Sequence, residues 1–383
     1  MIRYDPLMAT RASLLAALFM LGSFGCDDAP SPTGDAGRAD ASSPQADGGP
    51  ARDSGTPEAD ASTPVPGTLS ARYPGDEGIG ADPAVLFHDD FESGWGRWDA
   101  PTADTQYLHL ETDAARANAG EGFLRSTVTT ADLAADMYIS SAARVTHERV
   151  DEIWWRFHAR FPELAPNPHH WVRMAAGTES WNSSGLANTV PDGDDGFWFD
   201  FDTNVDDVFN FYAYWYNMRS GRCNDGSATP GCAGDQGTTY YYGNVLSPPE
   251  QTPFPRDRWF CIEVHARANT VGERDGELTF WIDDALVGDY RPGYPEGTWL
   301  RAQFHTGGCE FSACTEPAPF EGFDFRSSAD VRFKSFILDA YYERDSSARR
   351  RMEMEDRGLT VSDSQTILYD DVVIATERIG CRR

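Results

Sequence analysis

The sequence predicts an all-β protein in which two antiparallel sheets pack face to face as a sandwich. Apolar and polar residues alternate with a period of two in several segments, which is typical of strands with one buried face. Clusters of Gly, Pro, Asn and Asp separate these segments. Helical segments do not alternate with the strands, and this excludes an α/β fold, because parallel strands need such connections.

The first 26 residues are interpreted as an export signal. Arg3 precedes the apolar run 14–21, which is too short to form a permanent membrane span. Cys26 is followed by two aspartates, and this context resembles a bacterial lipoprotein site, so we expect Cys26 to be lipidated. The alternative is an ordinary signal peptide that is cut nearby and leaves Cys26 free. Both interpretations predict an exported protein, either held on the cell envelope or secreted.

Composition divides the rest of the chain into a tether, 27–83, and one large β domain, 84–383. The tether consists mostly of Asp, Ala, Ser, Pro, Gly and Thr, which bury too little apolar surface to fold, so we expect it to be disordered. The whole chain has 61 acidic and 32 basic residues and a net charge of −29. This charge excludes nucleic acid as a partner and limits membrane contact to a lipid anchor. A monomer is expected.

Three segments show the strand pattern most clearly. In 152–161 the apolar set includes Ile153, Trp155 and Phe157, and 259–266 alternates in the same way. Segment 277–287 predicts a hairpin, because Asp283 and Asp284 tolerate the left-handed backbone of a two-residue turn.

One short helix is predicted within 346–357. Ser346 or Ser347 is expected to cap its first turn, and Gly358 is expected to end it.

The cysteines predict disulfides. The chain has seven, and without Cys26 an even set remains, for which fifteen pairings are possible. Local spacing favours the pairs Cys223–Cys232 and Cys309–Cys314, and Cys261 would then pair with Cys381. A zinc site is not expected, because no Cys-x-x-Cys pair occurs and histidine is scarce.

Polar and aromatic side chains alternate with core residues in the central segments 196–202, 210–218 and 301–305, and 169–173 is a candidate fourth strand. Each segment contributes part of one sheet face. The expected face carries Trp198, Asp200, Asp202, Tyr212, Tyr214, Tyr216, Arg301, Gln303, His305 and Arg173.

Such a face suits a sugar chain, because aromatic rings stack on the C–H faces of sugars and planar polar groups bind hydroxyls. β-Elimination on a uronate needs an acid–base group and a group that neutralises the carboxylate. We assign the catalytic roles to Tyr212, Tyr214, His305, Arg173 and Gln303. The substrate-binding roles fall to Trp198, Asp200, Asp202, Tyr216 and Arg301. The alternative for each is an ordinary sheet residue with a solvated polar end.

Segments 87–94, 277–287 and 369–375 resemble strands of concanavalin A-like jelly rolls. The similarity is to polysaccharide lyases, namely glucuronan lyases and chlorella-virus-type alginate lyases, and to the cellulose-induced fungal proteins like them. The resemblance implies a jelly-roll domain that holds a polysaccharide on its concave sheet. Tyr212-Ala213-Tyr214 fits the Tyr-x-Tyr strand of these lyases, whereas Trp198 and Asp200 stand where their Ser and Arg are expected.

Two alternatives to a lyase stay open. One is a non-catalytic carbohydrate-binding lipoprotein. The other is a retaining glycoside hydrolase similar to laminarinases, because Asp200 and Asp202 on one face would have Cα atoms about 6.5–7 Å apart. The longer Glu-x-Asp-x-x-Glu pattern of that class is absent.

The resemblance also implies a structural Ca²⁺ between the first and last strands. Glu92 and Asp371 would supply carboxylates, and the turn 118–122 would supply carbonyls. The alternative is that these acids cap turns and face water. No organic cofactor is expected.

Overall fold

The computed structural model describes residues 65–99, 105–181, 186–203, 208–232, 239–248 and 254–382. The predicted export signal, with Cys26, and most of the predicted tether lie outside these residues. Among the helices of the described ranges, none combines the length and apolar character that crossing a bilayer requires.

Strands dominate the described part of the chain. In chain order they are β1 (Val85–Asp89), β2 (Leu108–Thr112), β3 (Gly122–Thr129), β4 (Tyr138–Val150), β5 (Glu152–Arg160), β6 (Val172–Gly177), β7 (Gly196–Thr203), β8 (Phe209–Tyr214), β9 (Asn244–Ser247), β10 (Phe260–Arg267), β11 (Glu277–Ile282), β12 (Ala285–Tyr290), β13 (Glu296–Leu300), β14 (Gln303–Thr306), β15 (Ala318–Pro319), β16 (Arg332–Glu343) and β17 (Ser364–Ala375).

The strands form two large sheets, which confirms the predicted all-β jelly-roll sandwich. The first sheet has the order β12-β11-β10-β5-β17-β3-β2, and β1 pairs with β17. The second sheet has the order β15-β13-β14-β9-β8-β7-β6-β16-β4. Pairing is antiparallel throughout the described strands except between β9 and β14, which run parallel.

Aromatic side chains from both sheets fill the core. Trp155 of β5 contacts Phe199 of β7 edge to face, with ring centroids 6.0 Å apart. Phe280 of β11 contacts Phe201 and Phe211 of β7 and β8 at 5.0 Å and 5.2 Å. Because the phenylalanines of β7 and β8 point inward, the residues that alternate with them point away from the core. This face of the second sheet is called the outer face below.

The predicted hairpin is confirmed. β11 and β12 are joined by Asp283 and Asp284, which have φ angles of 50° and 67°. Both residues therefore adopt the left-handed backbone that a two-residue hairpin turn requires.

Three α-helices occur in the described ranges: α1 (Leu69–Arg72), α2 (Thr130–Ala135) and α3 (Arg344–Asp356). The predicted helix corresponds to α3, which begins two residues earlier than expected. The cap prediction was wrong, because the carboxylate of Glu343 accepts the backbone N–H groups of Asp345 and Ser346. Gly358 follows the helix with a φ of 79°, as predicted.

The last part of the predicted tether, 65–83, is folded against the first sheet. Leu69 and Ile79 are fully buried and pack on Val373, Ala375 and Ile379. The assignment of this part to a disordered tether is therefore corrected. The average composition of 27–83 did not predict this, because it gave no weight to Leu69 and Ile79, two apolar residues that become buried against the first sheet.

A buried ion pair joins the same segment to the first sheet. The Asp76 carboxylate accepts hydrogen bonds from Nη2 and Nη1 of Arg156 at 2.5 Å and 3.2 Å. The side chains of Arg156 and Asp76 are 0% and 3% exposed. Ser70 donates its hydroxyl to the Gly380 carbonyl at 2.8 Å, which ties the segment to the chain's other end.

The three predicted disulfides are confirmed. Cys223 pairs with Cys232, Cys309 with Cys314, and Cys261 with Cys381. The first two close short loops, whereas the third joins β10 to the C-terminal segment. Local spacing identified the short loops because a few intervening residues keep both sulfurs within reach.

Candidate functional site

A row of polar side chains crosses the outer face. Register places Arg173 of β6 opposite Asp200 of β7, and Asp200 opposite Tyr212 of β8. Tyr212 lies opposite Val245 of β9, and Val245 lies beside Gln303 of β14. Residues opposite each other in a sheet share a face, so the alternation seen in the sequence builds one continuous surface.

Arg173 and Asp200 form a two-pronged ion pair. Nε donates to Oδ1 at 2.8 Å and Nη2 donates to Oδ2 at 3.1 Å. The guanidinium also lies 3.9 Å from the centre of the Trp198 ring. Burial raises the pKa of the Asp200 carboxyl to about 6, and Arg173 opposes this rise, so the carboxyl is ionised at neutral pH. Asp200 therefore holds Arg173 in place.

His170 joins this row from the segment that precedes β6. An isolated bridge to Tyr341 of β16 fixes its backbone. Its Nδ1 lies 3.0 Å from Oδ2 of Asp202, and its ring centroid lies 4.6 Å from that of Tyr212. Burial lowers the pKa of the imidazole to about 4, although 19% of the side chain is exposed. His170 is therefore neutral at pH 7 and accessible from the outer face.

Tyr212 is held by the backbone of the loop before β9. Its hydroxyl oxygen accepts the Gly243 N–H at 2.9 Å and lies 3.4 Å from the hydroxyl of Tyr214. Burial, followed by the nearby Tyr214, raises the pKa of the Tyr212 phenol well above its usual value. The phenol therefore keeps its proton at neutral pH and suits an acid better than a base.

Gly243 lets the Tyr212 ring lie against the backbone. A Cβ at this position would come within 2.6 Å of Cε1 and Cζ of that ring. We expect Gly243→Ala to displace the ring and lower any activity that needs the Tyr212 hydroxyl by about tenfold or more. Turnover and a crystal structure of the variant check this prediction. Gly80→Ala is the control, because its added methyl approaches no atom closer than 3.2 Å; equal activity of all three proteins would contradict the prediction.

His170, Arg173, Asp200, Asp202 and Tyr212 are called the central cluster below. Arg173, Asp200, Asp202 and Tyr212 were all predicted for this face, and they are brought together. Asp200 and Asp202 are 0% and 5% exposed, however, so their predicted role as direct substrate contacts is corrected: they bind Arg173 and His170 instead. His170 was missed because it lies outside the regular alternation of β6. The adjacent pair His169-His170 in a chain with eight histidines was a signal that could have found it.

Trp198, which was predicted to bind substrate, and Tyr214, which was predicted to be catalytic, are both buried beneath the outer face. Trp198 and Tyr214 are 3% and 2% exposed, and their ring centroids lie 4.6 Å apart. Arg173 covers part of the Trp198 ring. The expectation that these two side chains touch the sugar directly, Trp198 as a binding residue and Tyr214 as a catalytic one, is therefore corrected. They support the residues above them, since buried rings have no face available to a ligand.

The remaining predicted residues lie away from the central cluster. Tyr216 follows β8, packs against Gly193 and donates its backbone N–H to the Phe325 carbonyl. Gln303 and His305 lie on β14, two strands from Tyr212. Arg301 occupies the turn between β13 and β14.

Aromatic rings continue the surface on the other side of His170. The Tyr341 ring is 5.9 Å from the His170 ring, and the Tyr138 ring is 6.1 Å from Tyr341 and nearly parallel to it. Tyr138 is 38% exposed. These tyrosines were not predicted as site residues, because long-range pairing brings them here: β16 pairs with β6, which places Tyr341 beside His170, and β4 pairs with β16, which adds Tyr138.

Among the described residues, His170, Asp200 and Asp202 are the group whose ligand atoms lie close enough to hold a metal ion, within 4.8 Å of one another. However, Asp200 already accepts two hydrogen bonds from Arg173, and Asp202 forms a hydrogen bond with Nδ1 of His170. A guanidinium beside the carboxylates opposes a divalent cation. The donor set therefore fits a proton-transfer site better than a metal site.

No protein-family model and no curated protein matches this chain. Solved structures are similar to it at low identity. An endo-β-1,4-glucuronan lyase from the fungus Trichoderma reesei is 14% identical, with 76% of this chain and 95% of that chain covered and a TM-score of 0.40. An alginate lyase from Chlorella virus is 10% identical, with 76% and 99% covered and a TM-score of 0.46. The Emp47p carbohydrate recognition domain is 9% identical, with 78% and 99% covered and a TM-score of 0.34.

Proposed function

We propose that the outer face binds a uronate-containing polysaccharide and that the central cluster cleaves it by β-elimination. One observation carries this proposal: a neutral, accessible imidazole is held by a buried carboxylate and contacts a protonated tyrosine. His170, Asp202 and Tyr212 are these three groups. A base, the group that orients it and an adjacent acid are what abstraction of a proton next to a carboxylate requires.

The reaction needs no cofactor or redox partner. Nε2 of His170 takes the proton from C5 of the uronate, and the C–H electrons form the C4=C5 double bond. The C4–O bond breaks, and the departing oxygen takes the proton of the Tyr212 hydroxyl. Two chains result, one of which carries an unsaturated uronate, and later proton exchange with water restores both side chains.

The uronate carboxylate must be neutralised for its neighbouring proton to become acidic. Arg173 supports this role, because its bonds to Asp200 use Nε and Nη2, and no described residue accepts a hydrogen bond from Nη1. The Nη1 hydrogens are therefore the part of the guanidinium that suits a substrate carboxylate. Gln303 was also predicted as a catalytic residue, but its position on β14 separates it from the central cluster.

Asp202 decides which nitrogen of His170 carries the proton. Burial raises the pKa of the Asp202 carboxyl to about 7. Below that pH the protonated carboxyl donates to Nδ1 and the imidazole proton stays on Nε2, whereas above it the carboxylate accepts from Nδ1 and frees the Nε2 lone pair. We expect kcat/KM to rise with pH around a midpoint near 7 and Asp202→Asn to abolish this rise. A pH–rate profile measures it.

The exposed Asp113, which belongs to a loop of the other sheet, provides the control for this profile. Asp113→Asn should retain the wild-type midpoint. If Asp202→Asn also retained that midpoint, the assigned role of Asp202 would be incorrect.

Non-catalytic binding is the second candidate, and the Arg173–Asp200 pair favours it. A guanidinium that is already neutralised by a buried carboxylate attracts a substrate carboxylate less strongly.

The retaining glycosidase has less support than either. Its two carboxylates would have to flank the sugar, but Asp200 is hydrogen-bonded to Arg173 and Asp202 is hydrogen-bonded to His170.

The deciding experiment is incubation of the purified protein with alginate, glucuronan and a neutral β-glucan. A rise in ultraviolet absorbance from unsaturated uronate supports the lyase. Binding to the uronate polymers without such a rise supports the non-catalytic protein, and release of reducing ends from the β-glucan supports the glycosidase. If no polymer is bound or cleaved, the carbohydrate proposal fails.

We also propose export of the protein with a lipid on Cys26, as a monomer. The apolar run 14–21 before Cys26 supports this location. Detergent partitioning of the wild type and of Cys26→Ser, expressed with the leader, tests it; equal partitioning into water would exclude the lipid.

Calcium at Glu92 and Asp371 stays a prediction. Both side chains contact the expected turn, since Glu92 accepts the N–H groups of Glu121 and Gly122, and Asp371 accepts the Asn118 side-chain amide. Arg382 also pairs with Asp371. These contacts satisfy the carboxylates with N–H donors, so an ion would have to displace them. A calcium titration of the Tm decides the question.

A further inference from the structure

Gln303 and His305 were predicted as catalytic residues, but their position on β14 indicates a different role. Register places them on the outer face beside Val245 and Ser247, and Gln303 donates its amide to the Ser247 hydroxyl at 3.3 Å. Two strand spacings, about 10 Å, separate β14 from Tyr212. This distance is too long for either side chain to share a proton with the central cluster.

A disulfide-closed loop places an aromatic ring beside His305. Phe311 is 65% exposed, and its ring centroid lies 6.3 Å from that of His305. The Cys309–Cys314 bond closes the loop, and two backbone hydrogen bonds fix it: Cys314 N–H to the Phe311 carbonyl, and Gly308 N–H to the His305 carbonyl. The disulfide and these hydrogen bonds hold an exposed aromatic ring beside His305, where its face is available to stack on a sugar.

A second disulfide loop contacts Arg301, which lies in the turn that leads into β14. The backbone N–H of Arg301 donates to the Asn224 carbonyl at 3.0 Å, and its Nε donates to the Asn224 side chain at 3.4 Å. Asn224 belongs to the loop that Cys223 and Cys232 close. Among the described residues, no carboxylate forms an ion pair with Arg301, so its charge is available to an anion.

We propose that Arg301, Gln303, His305 and Phe311 form a distal subsite, which binds a uronate ring of the same chain away from the bond that is cleaved. This inference rests on the proposed function. The ring of Phe311 would cover a sugar's C–H face, Arg301 would meet its carboxylate, and Gln303 and His305 would bind its hydroxyls. A site that extends over two further strands favours long chains over short oligosaccharides.

The test compares polymers with trisaccharides of alginate and of glucuronan. We expect Phe311→Ala to weaken binding of the polymer by about threefold to tenfold, the range for one aromatic contact, and to leave trisaccharide binding unchanged. Arg301→Gln should weaken polymer binding similarly, and Phe311→Trp should retain it. Affinity electrophoresis in His170→Ala proteins measures binding without turnover, and KM measures it in the active enzyme.

Leu286→Ala provides the matched control, because Leu286 is 55% exposed and lies on β12 of the other sheet. If Phe311→Ala and Arg301→Gln bound the polymer as tightly as this control, the distal subsite would be overturned while the proposed function stood. Equal losses for polymer and trisaccharide would also overturn it. If the wild type bound neither form of either glycan, the proposed function itself would fail.

Discussion

His170→Ala is expected to lower kcat/KM for β-elimination by about 10²–10⁴-fold, the usual contribution of a positioned acid–base group. In the proposed mechanism the His170 imidazole is the base, and its Nδ1 lies 3.0 Å from the Asp202 carboxylate. Because part of the side chain reaches the surface, its removal should leave the fold intact. The measurement is the initial rate of ultraviolet absorbance increase on alginate and glucuronan.

Two further measurements separate catalysis from structure. Added imidazole should restore part of the activity of His170→Ala, because a small base can occupy the vacated space. His109→Ala serves as the control, since His109 lies on β2 of the other sheet and contacts only the Gln106 carbonyl among its described hydrogen-bond partners. Activity of His170→Ala within threefold of the wild type would exclude His170 as the base.

Asp76→Asn is expected to lower the free energy of unfolding by about 3–5 kcal/mol, because it removes the charged partner of a fully buried guanidinium. Arg156 would keep its contact with the Ser70 hydroxyl, its hydrogen bond to the Asp371 carbonyl and one acceptor at residue 76, the asparagine amide oxygen, but it would lose the neutralising charge. Asparagine is chosen because residue 76 has a φ of 60°, which asparagine tolerates and alanine does not. Urea denaturation measures the loss.

Glu77→Gln makes the same change of charge at the next, exposed residue, and it should hardly alter stability. If Asp76→Asn unfolded at the same urea concentration as this control, the segment 65–83 would contribute little to the fold. A loss of the expected size would show that segment 65–83 stabilises the β domain. A fragment that starts at residue 84 would then be less stable than the full chain.

Local periodicity was sufficient for the strands and for the composition of each face. In β7 the sequence separates Phe199 and Phe201 from Asp200 and Asp202, and the structure places these two sets on opposite faces. The period of a strand depends only on backbone geometry, so it can be predicted without knowing the neighbouring strands. The Asp283-Asp284 turn and the short disulfide loops were also predictable, because each depends only on residues that are close together in sequence.

Contacts between distant parts of the chain determined the rest. The bridge between His170 and Tyr341 places on this face an imidazole that the strand alternation did not indicate. Arg173 lies over the Trp198 ring, which the alternation did not indicate either. A sequence pattern shows which face a side chain occupies, but not what lies above it, because burial depends on residues far away in sequence.

The sequence by itself therefore determined a two-sheet β-sandwich with a polar, aromatic outer face. Only the tertiary structure decided which of those side chains meet. It brought Tyr212 to His170 and left His305 two strands away, because strand order in a sheet is set by long-range pairing rather than by local pattern. It also folded 65–83 onto the first sheet, since the buried Arg156 needs the carboxylate of Asp76.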